Sequence, residues 1–268
     1  MQKSTLRLVA ASLVTVMSGP VLANGAIDAA NNEVGLSVGG QNTSFQAGAD
    51  STIGTMPAFG VNVQRQGPLF GIQNVYTALA VNGSAGRQTY QTPAGFDRSC
   101  ARFAPYSESD SAFAIDVSGK VGKGVPLGAA WQLTPYIEGG YHYWNRHVSW
   151  SPSGYAYQHG YVGLGLLTQY APTSRLVVGL DLSAAETISP NVHVQGQSLS
   201  LQSRPILAAT FSADYALTQR LHLTASYGVQ RFRYGQSQLV DTVYSGLAFE
   251  PSSQTTTQSI MLGAAYAF

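Results

Sequence analysis

The feature that most constrains the fold is the alternation of side chains in residues 256–268, the last stretch of the sequence. A side-chain period of two indicates a β-strand, because successive residues of a strand point to opposite faces. A strand with bulky apolar groups on one face and small groups on the other is typical of a barrel wall between lipid and a lumen. The bulky face carries Ile260, Leu262, Ala264, Tyr266 and Phe268, and the other face Ser259, Met261, Gly263, Ala265 and Ala267.

This stretch resembles the terminal strand of bacterial outer-membrane β-barrels, which typically ends in Phe and is read by the barrel-assembly machinery. The resemblance rests on the alternation and on the aromatic pair that closes it. It implies that Tyr266 and Phe268 form an assembly signal and that the assembly machinery is a partner. Aromatic rings also favour the interface between membrane and water. The alternative is a soluble sandwich whose last strand ends in the same way.

The amino terminus has the three parts of a secretory signal peptide. Lys3 and Arg7 form a short basic region, residues 8–17 are apolar, and residues 21–23 have the small-residue pattern of a cleavage site. We therefore expect a signal peptide at residues 1–23 and an outer-membrane barrel domain at residues 24–268. No later stretch has the roughly 20 consecutive apolar residues of a spanning helix. A membrane protein of this kind has to be a closed barrel, because an open sheet edge in lipid leaves backbone groups unpaired.

The amino-acid composition also fits a barrel wall whose side chains point alternately to lipid and to water. Charged residues make up 10% of the chain, against roughly 25% in a typical soluble domain. No block of basic residues occurs, which argues against nucleic acid as a partner. Cys100 is the single cysteine, so an intramolecular disulfide is excluded. We interpret it as an exposed loop thiol, with a redox or cross-linking role as the alternative.

Strand-like runs, joined alternately by short turns and by longer polar segments, predict an all-β, antiparallel transmembrane barrel. The count is ten, although each run carries a weak signal and eight or twelve strands remain possible. Short turns near residues 67, 126, 173 and 219 are expected on the periplasmic side together with both termini, and five longer segments on the outside. The runs are 34–41, 56–66, 69–82, 112–121, 131–146, 155–170, 176–183, 206–217, 221–229 and 256–268.

One internal run also carries a family resemblance. Residues 133–141, Leu-Thr-Pro-Tyr-Ile-Glu-Gly-Gly-Tyr, resemble the Pro-Tyr-apolar-x-Gly-x-Gly strand of the opacity-protein and OmpA-like small barrels. Glu138 departs from the small residue that is usual in that pattern. Opacity-like proteins are known as adhesins, so the resemblance implies a surface-interaction role.

The polar faces of the predicted strands carry several ionisable residues. A charge that faces lipid at the membrane midplane costs about 2–4 kcal/mol, so these side chains are expected in the lumen. One interpretation is a hydrophilic path or gate for small solutes. The other, which we favour, is a salt-bridged plug that holds the barrel rigid. The residues of this lumen cluster are Asp116, Lys120, Glu138, His142, His159, Asp181, Asp214 and His222.

Two kinds of outer-membrane enzyme were compared with the sequence. Omptin proteases share the strand count but use paired acids and an Asp-x-His, and neither Asp-x-Asp nor Asp-x-His occurs here. Lipid A deacylases use a His-x-Ser pair, and His147-Val148-Ser149 has that spacing. A His beside a Ser can act as base for a nucleophile, but Glu186, the outward acid at a similar height, lies two strands away. We predict a protein that is not an enzyme and has no cofactor or metal, with a lipid A hydrolase as an unfavoured alternative.

The predicted loops are rich in Ser, Thr, Gln, Gly and Tyr, a composition suited to polar surface contacts. Function often lies on loops that a rigid scaffold carries. The sequence therefore favours a structural or surface-interaction role through an extracellular ligand, with a narrow channel for small hydrophilic solutes as the alternative. Arg231 and Arg233, at the outer end of their strand, are candidates for binding lipopolysaccharide phosphates.

Overall fold

The computed structural model describes residues 23–96, 102–147, 154–194, 196–242 and 246–268. Most of the predicted signal peptide, Cys100 and Ser149 lie outside these residues. Ten long strands are present, with one short helix, α1 (Ala23–Ala30), before them. They are β1 (Glu33–Ala47), β2 (Asp50–Leu69), β3 (Ile72–Thr92), β4 (Tyr106–Lys123), β5 (Trp131–His147), β6 (Tyr155–Tyr170), β7 (Leu176–Val194), β8 (Pro205–Ala216), β9 (Leu221–Tyr234) and β10 (Ser253–Ala267).

Each strand pairs antiparallel with its neighbour in sequence, and the last strand returns to the first. β10 pairs with β1 over their whole length, from Glu33 opposite Ala267 to Ala47 opposite Ser253. This pairing closes the sheet into a ten-stranded barrel, as the sequence predicted. Short extension strands lie outside the ring at Gly95–Phe96, Arg102–Phe103, Val125–Pro126, Gln197–Ser200, Val240–Thr242 and Gly246–Ala248.

The outer face carries a belt of exposed apolar side chains around the wall. Leu36, Leu79, Leu164 and Leu262, from four different strands, are 63–66% exposed. In water such a surface is unfavourable, whereas in hydrocarbon it is the solvated face of the barrel. The period-two interpretation of the lipid face is therefore confirmed.

The two rims of the barrel differ. We call the rim with α1, Phe268 and the short turns the terminal end, and the opposite rim the loop end. At the loop end the strands continue past the apolar belt. β1 reaches Ala47, and a two-residue turn leads into β2 at Asp50, so the polar loop predicted in this region is a hairpin. β3 and β4 likewise extend to Thr92 and from Tyr106. Alternation could not reveal these extensions, because neither of their faces meets lipid.

The first turn of the terminal end lies later than predicted. Gly67 and Pro68 belong to β2, where the register shifts between Gly67 and Leu69 and accommodates a proline that has no N–H to donate. The chain reverses instead at Phe70 and Gly71, with φ of 49° and 82°. Two positive φ values in succession are typical of the two-residue turns that match the twist of a hairpin.

Helix α1, which the sequence analysis did not anticipate, covers part of the lumen at the terminal end. Ile27 is 1% exposed and clusters with Ala30, Ala171 and Val177. Asn31 follows the helix and donates its amide to Gln66 and to Gln169, each at 2.9 Å. The helix is thereby held against strands on two sides of the barrel.

Candidate functional site: the interior of the barrel

The eight ionisable residues predicted in the lumen all lie on the inner face, buried or half-buried. They do not form one cluster. Lys120 and Asp181 meet in the middle of the barrel with Glu138 nearby, and Asp116 lies beside His142. His159 lies nearer the loop end, while Asp214 and His222 lie near the terminal end. The sequence could assign each side chain to a face, but the pairing across the lumen depends on how the sheet closes.

The central contact of the lumen joins two strands that are not neighbours in the wall. The Lys120 ammonium lies 2.5 Å from Asp181, and it also stands 4.5 Å from the ring centroid of Tyr136. The Tyr136 hydroxyl donates to the same aspartate. Because β4 and β7 are not neighbours in the sheet, this ion pair crosses the barrel and fills part of its width. Paired charges of this kind favour a rigid lumen.

A second polar group lies beside the first. Asp116 is opposite His142 in the β4–β5 register, with 3.5 Å between the carboxylate and Nδ1. Tyr161, on β6, donates its hydroxyl to Asp116 at 3.2 Å. A Cβ at Gly140 would lie 2.5 Å from the Tyr161 hydroxyl, so the glycine makes room for this ring across the inner wall. Gly140, in the Gly-Gly pair of β5, therefore has a packing role.

Near the loop end the lumen is crossed by aromatic rings that pack against one another, which we call the aromatic layer: Phe45, Trp144, Tyr157, Phe232 and Tyr234. Their centroids lie 5.1–6.0 Å apart, as in Phe45–Trp144 and Tyr157–Tyr234. His159 packs against this layer, with Nδ1 2.6 Å from the Tyr234 hydroxyl. The layer could not be predicted from the sequence, because a single aromatic residue on an inner face gives no signal of its partners.

Arg146 lies on the loop-end side of the aromatic layer and is 5% exposed. Its guanidinium stands 5.1–6.0 Å from the centroids of five rings and donates to Thr52 at 2.5 Å. Among the described residues, no carboxylate lies within ion-pair distance of it. Aromatic faces attract a desolvated cation by about 2 kcal/mol or more, so the rings take the place of a counter-ion. Sequence analysis missed this residue, having treated it as the end of a strand.

The last loop is anchored on the same layer. The Glu250 carboxylate accepts a hydrogen bond from Tyr157 at 2.5 Å. The Ser237 N–H donates to the Glu250 carbonyl at 2.9 Å, and the Glu250 N–H donates to the Ser237 hydroxyl at 2.8 Å. Burial raises the pKa of the Glu250 carboxyl, with Tyr157 and Arg146 opposing the rise. Burial likewise raises the pKa of Tyr157, which therefore remains a donor. The loop between β9 and β10 is thus tied down over the mouth of the barrel.

At the terminal end, Asp214 and His222 meet a third residue, Glu33, that sequence analysis did not select. Nδ1 of His222 lies 2.8 Å from Oδ1 of Asp214 and 3.5 Å from Oε2 of Glu33. Glu33 and His222 are 2% and 1% exposed. The other oxygen of Glu33 accepts from Gln64 at 2.9 Å. We call these three residues the acid–histidine cluster. Glu33 was missed because it precedes the first alternating residue, Val34.

Below this cluster the lumen is closed by side-chain amides. Gln132 donates to Gln66 at 2.7 Å, and Gln169 donates to Asn31 at 2.8 Å. All four residues are at most 9% exposed. Together with α1 they form a hydrogen-bonded floor at the terminal end, which we call the amide floor. Its members come from three strands and the segment after the helix, so their proximity was not visible in the sequence.

Between the amide floor and the aromatic layer the lumen contains two cavities, of about 250 and 310 Å³. Slightly more than half of the residues that line each cavity are polar. The two cavities share four lining residues and therefore adjoin each other, in a polar tract along one side of the lumen. The shared residues are Asn82, Thr210, Ser226 and Met261.

Four other predicted site residues lie at the rims. Arg231 and Arg233 are exposed on the outer wall at the loop end, and both donate to Gln254, at 2.6 and 3.1 Å. Arg233 also lines an open groove of about 500 Å³ with Arg204. At the terminal end, Tyr266 and Phe268 are 48% and 64% exposed.

Known outer-membrane proteins share this fold. OmpT, an outer membrane protease from Escherichia coli, superposes with a TM-score of 0.59 at 10% identity, covering 89% of this chain and 97% of that one. The protein therefore has the fold of the small outer-membrane β-barrels. At this identity the likeness extends to the fold alone. The omptin motifs are absent from the sequence, and of the His-x-Ser pair only His147, which is exposed, lies within the described residues.

Other solved barrels are more distant. An outer membrane channel from Pseudomonas putida F1 has a TM-score of 0.42 at 9% identity, covering 88% of this chain and 95% of that one. The translocator domain of the autotransporter NalP from Neisseria meningitidis has a TM-score of 0.40 at 16% identity, covering 92% of each chain. No protein-family model matches the sequence, and neither does any curated protein. Within the described residues, no helix has the length and apolar character needed to cross a membrane.

Proposed function

We propose that this barrel does not conduct solutes, is not an enzyme, and acts through the surface at its loop end. The observation that carries the proposal is the closure of the polar tract at both ends. α1 and the amide floor lie at one end, and the aromatic layer with Arg146 at the other. The ionisable residues between them bond to one another. In this proposal the termini are periplasmic and the loop end faces the outside.

The last loop is the part of that surface best suited to contact. It is fixed to the barrel through Glu250 and Ser237, and it carries Leu239 and Phe249, which are 63% and 47% exposed. Exposed apolar side chains on an anchored loop suit contact with another macromolecule, because little conformational entropy is lost on binding. Adhesin-like behaviour of the loops, which the opacity resemblance implies, fits this surface.

Single-channel recording in planar bilayers tests the closure. We expect the folded protein to be silent, and Tyr157→Ala alone to be silent as well, because the floor at the terminal end still closes the tract. Deletion of residues 24–31, which removes α1 and takes Asn31 out of the amide floor, is expected to be silent on its own because the aromatic layer still closes the loop end. Combining the two changes should give steady, salt-dependent openings. Steady openings of the unchanged protein would overturn the proposal in favour of the narrow channel, which the adjoining cavities otherwise support.

The contact surface is tested with the double variant Leu239→Ser and Phe249→Ser. We expect cells that display the barrel to adhere to one another or to coated surfaces, and the double variant to lose most of that adhesion at equal surface levels. Leu221→Ser at the terminal end is the control, since Leu221 is similarly exposed on the opposite rim. Equal adhesion of the double variant and the unchanged protein would remove the last loop from the proposal.

Lipopolysaccharide is the proposed lipid partner. Arg231, Arg233 and Arg204 are exposed at the loop end, where this proposal places the lipid headgroups of the outer leaflet. Guanidinium groups bind phosphate in a bidentate manner. Replacing all three arginines by Gln is expected to weaken retention of lipopolysaccharide by the purified barrel. Arg175 and Arg220, exposed at the terminal end, are the matched control positions. Retention that depends equally on both sets would contradict a specific site.

A further inference from the structure

The acid–histidine cluster has the composition and geometry of a metal site. Glu33 lies at the start of β1, Asp214 on β8 and His222 on β9. One ligand atom from each of the three lies within 4.8 Å of the other two. Two carboxylates and an imidazole form a set of ligands that suits Zn²⁺ and neighbouring divalent transition metals.

The unpartnered atoms of the cluster point to a missing ligand. Oε2 of Glu33, Oδ2 of Asp214 and Nδ1 of His222 have no hydrogen-bond partner in the described part of the chain. Nδ1 lies within ion-pair distance of both acids but is not aligned for a hydrogen bond to either. Buried polar atoms without partners are rare in native proteins and need an explanation such as a bound ion.

Charge balance leads to the same conclusion. Two carboxylates that are removed from water need positive charge nearby, since an unpaired buried charge is costly. Lys120 pairs with Asp181 elsewhere. In the part of the chain that the structure describes, no lysine or arginine lies within ion-pair distance of Glu33 or Asp214. A divalent cation bound to neutral His222 would balance both acids.

The distances fit such an ion. Ligands about 2.0–2.2 Å from a tetrahedral Zn²⁺ lie about 3.3–3.6 Å from one another. The 3.5 Å between His222 and Glu33 is in that range, while the 2.8 Å to Oδ1 of Asp214 requires a small rotation of this carboxylate. The 310 Å³ cavity is lined by Glu33 and Asp214, so it can supply water for the remaining coordination position.

The small inner face of β10 is what lets the cluster form. β10 lies between β1 and β9, with Ala267 opposite Glu33 and Ala265 opposite His222. Both alanines are buried, and their methyl groups leave room for the longer side chains to meet across the strand. We propose that Glu33, Asp214 and His222 bind one Zn²⁺ or similar divalent transition-metal ion, which joins β1 to β8 and β9 across the closing strand.

Zinc titration of the folded, chelator-treated protein in detergent tests the proposal. We expect one Zn²⁺ per chain by calorimetry and by elemental analysis, and visible d–d absorption with Co²⁺ as a spectroscopic probe. Glu33→Gln, Asp214→Asn and His222→Gln keep the side-chain size, and each should weaken Zn²⁺ binding by about tenfold or more. His142→Gln is the control, because His142 faces only one carboxylate within ion-pair distance.

The outcomes are separable from those of the conductance experiment, which does not involve the metal. Absence of saturable Zn²⁺ binding by the unchanged folded protein would overturn the site, and this result does not depend on whether any variant folds. If His142→Gln weakened Zn²⁺ binding as much as His222→Gln, that result would also overturn the proposed site. Stoichiometric binding lost only in the three cluster variants supports it.

Discussion

At the scale of single residues, the interior is organised by burial and by the choice of partner. Arg146 has aromatic rings around it where a carboxylate would be usual, while Asp110, on the neighbouring strand, is 1% exposed and has no partner for either oxygen among the described residues. The two residues lie in the loop-end extension, beyond the apolar belt. Burial raises the pKa of Asp110 to about 6, with Glu108 adding to the rise and Arg146 opposing it.

The raised pKa of Asp110 predicts how the stability of the fold changes with pH. Since the folded state favours the protonated acid, the contribution of Asp110 to stability is complete below its ordinary pKa near 3.8 and is lost as the pH rises through about 6. Asp110→Asn cannot ionise, so we expect it to unfold at higher urea than the unchanged protein at pH 7.5. At pH 4 the two midpoints should nearly coincide. A variant less stable at pH 7.5 would show that the carboxylate is stabilised by a charge partner.

At the scale of elements, how well a strand could be predicted from the sequence depends on whether one of its faces meets lipid. β10, β7 and β1 were found from their alternation, because one of their faces meets hydrocarbon. The extensions of β1, β2 and β3 above the belt were read as loops, since both faces there are polar or meet the aromatic layer. The central ion pair of Lys120 with Asp181 could not be predicted from the sequence either, because it depends on which strands come close across the lumen after the barrel closes.

The closing strand offers an element-scale test with a built-in control. Ala265 is buried on the inner face of β10, whereas Ala264 is exposed on the lipid face of the same strand. Ala265→Leu should cost about 1–3 kcal/mol, because extra volume in a packed interior forces neighbours apart. Ala264→Leu should be neutral or slightly stabilising in a lipid environment. Urea unfolding in lipid vesicles measures the stability of both variants. Equal effects of the two substitutions would contradict the assignment of Ala265 to the packed interior and Ala264 to the lipid face.

At the scale of the whole molecule, the barrel consists of a membrane-spanning belt and an extramembrane loop end with an aromatic interior. The two parts are built by the same strands but from different residues. Apolar groups face outward in the belt, at positions such as Leu180, and inward at the loop end, at positions such as Phe45. The height of the membrane on the barrel is therefore defined by where the apolar side chains change face.

An arginine scan along the outer wall tests this height. Leu180→Arg, in the middle of the apolar stripe of β7, should destabilise the barrel by about 2–4 kcal/mol in bilayers. Ser44→Arg, exposed on the loop-end extension of β1, should be close to neutral. Unfolding in vesicles of defined composition provides the comparison. A large penalty at Ser44 would move the membrane boundary toward the loop end.

The position of Glu33 at the very start of the first strand has a consequence for assembly. Asp214 and His222 belong to the eighth and ninth strands, so their contact with Glu33 can form only when nearly all strands are in place and the first and last strands have paired. Until then Glu33 and the other two side chains lack one another as partners, so this part of the interior is completed only when the barrel closes.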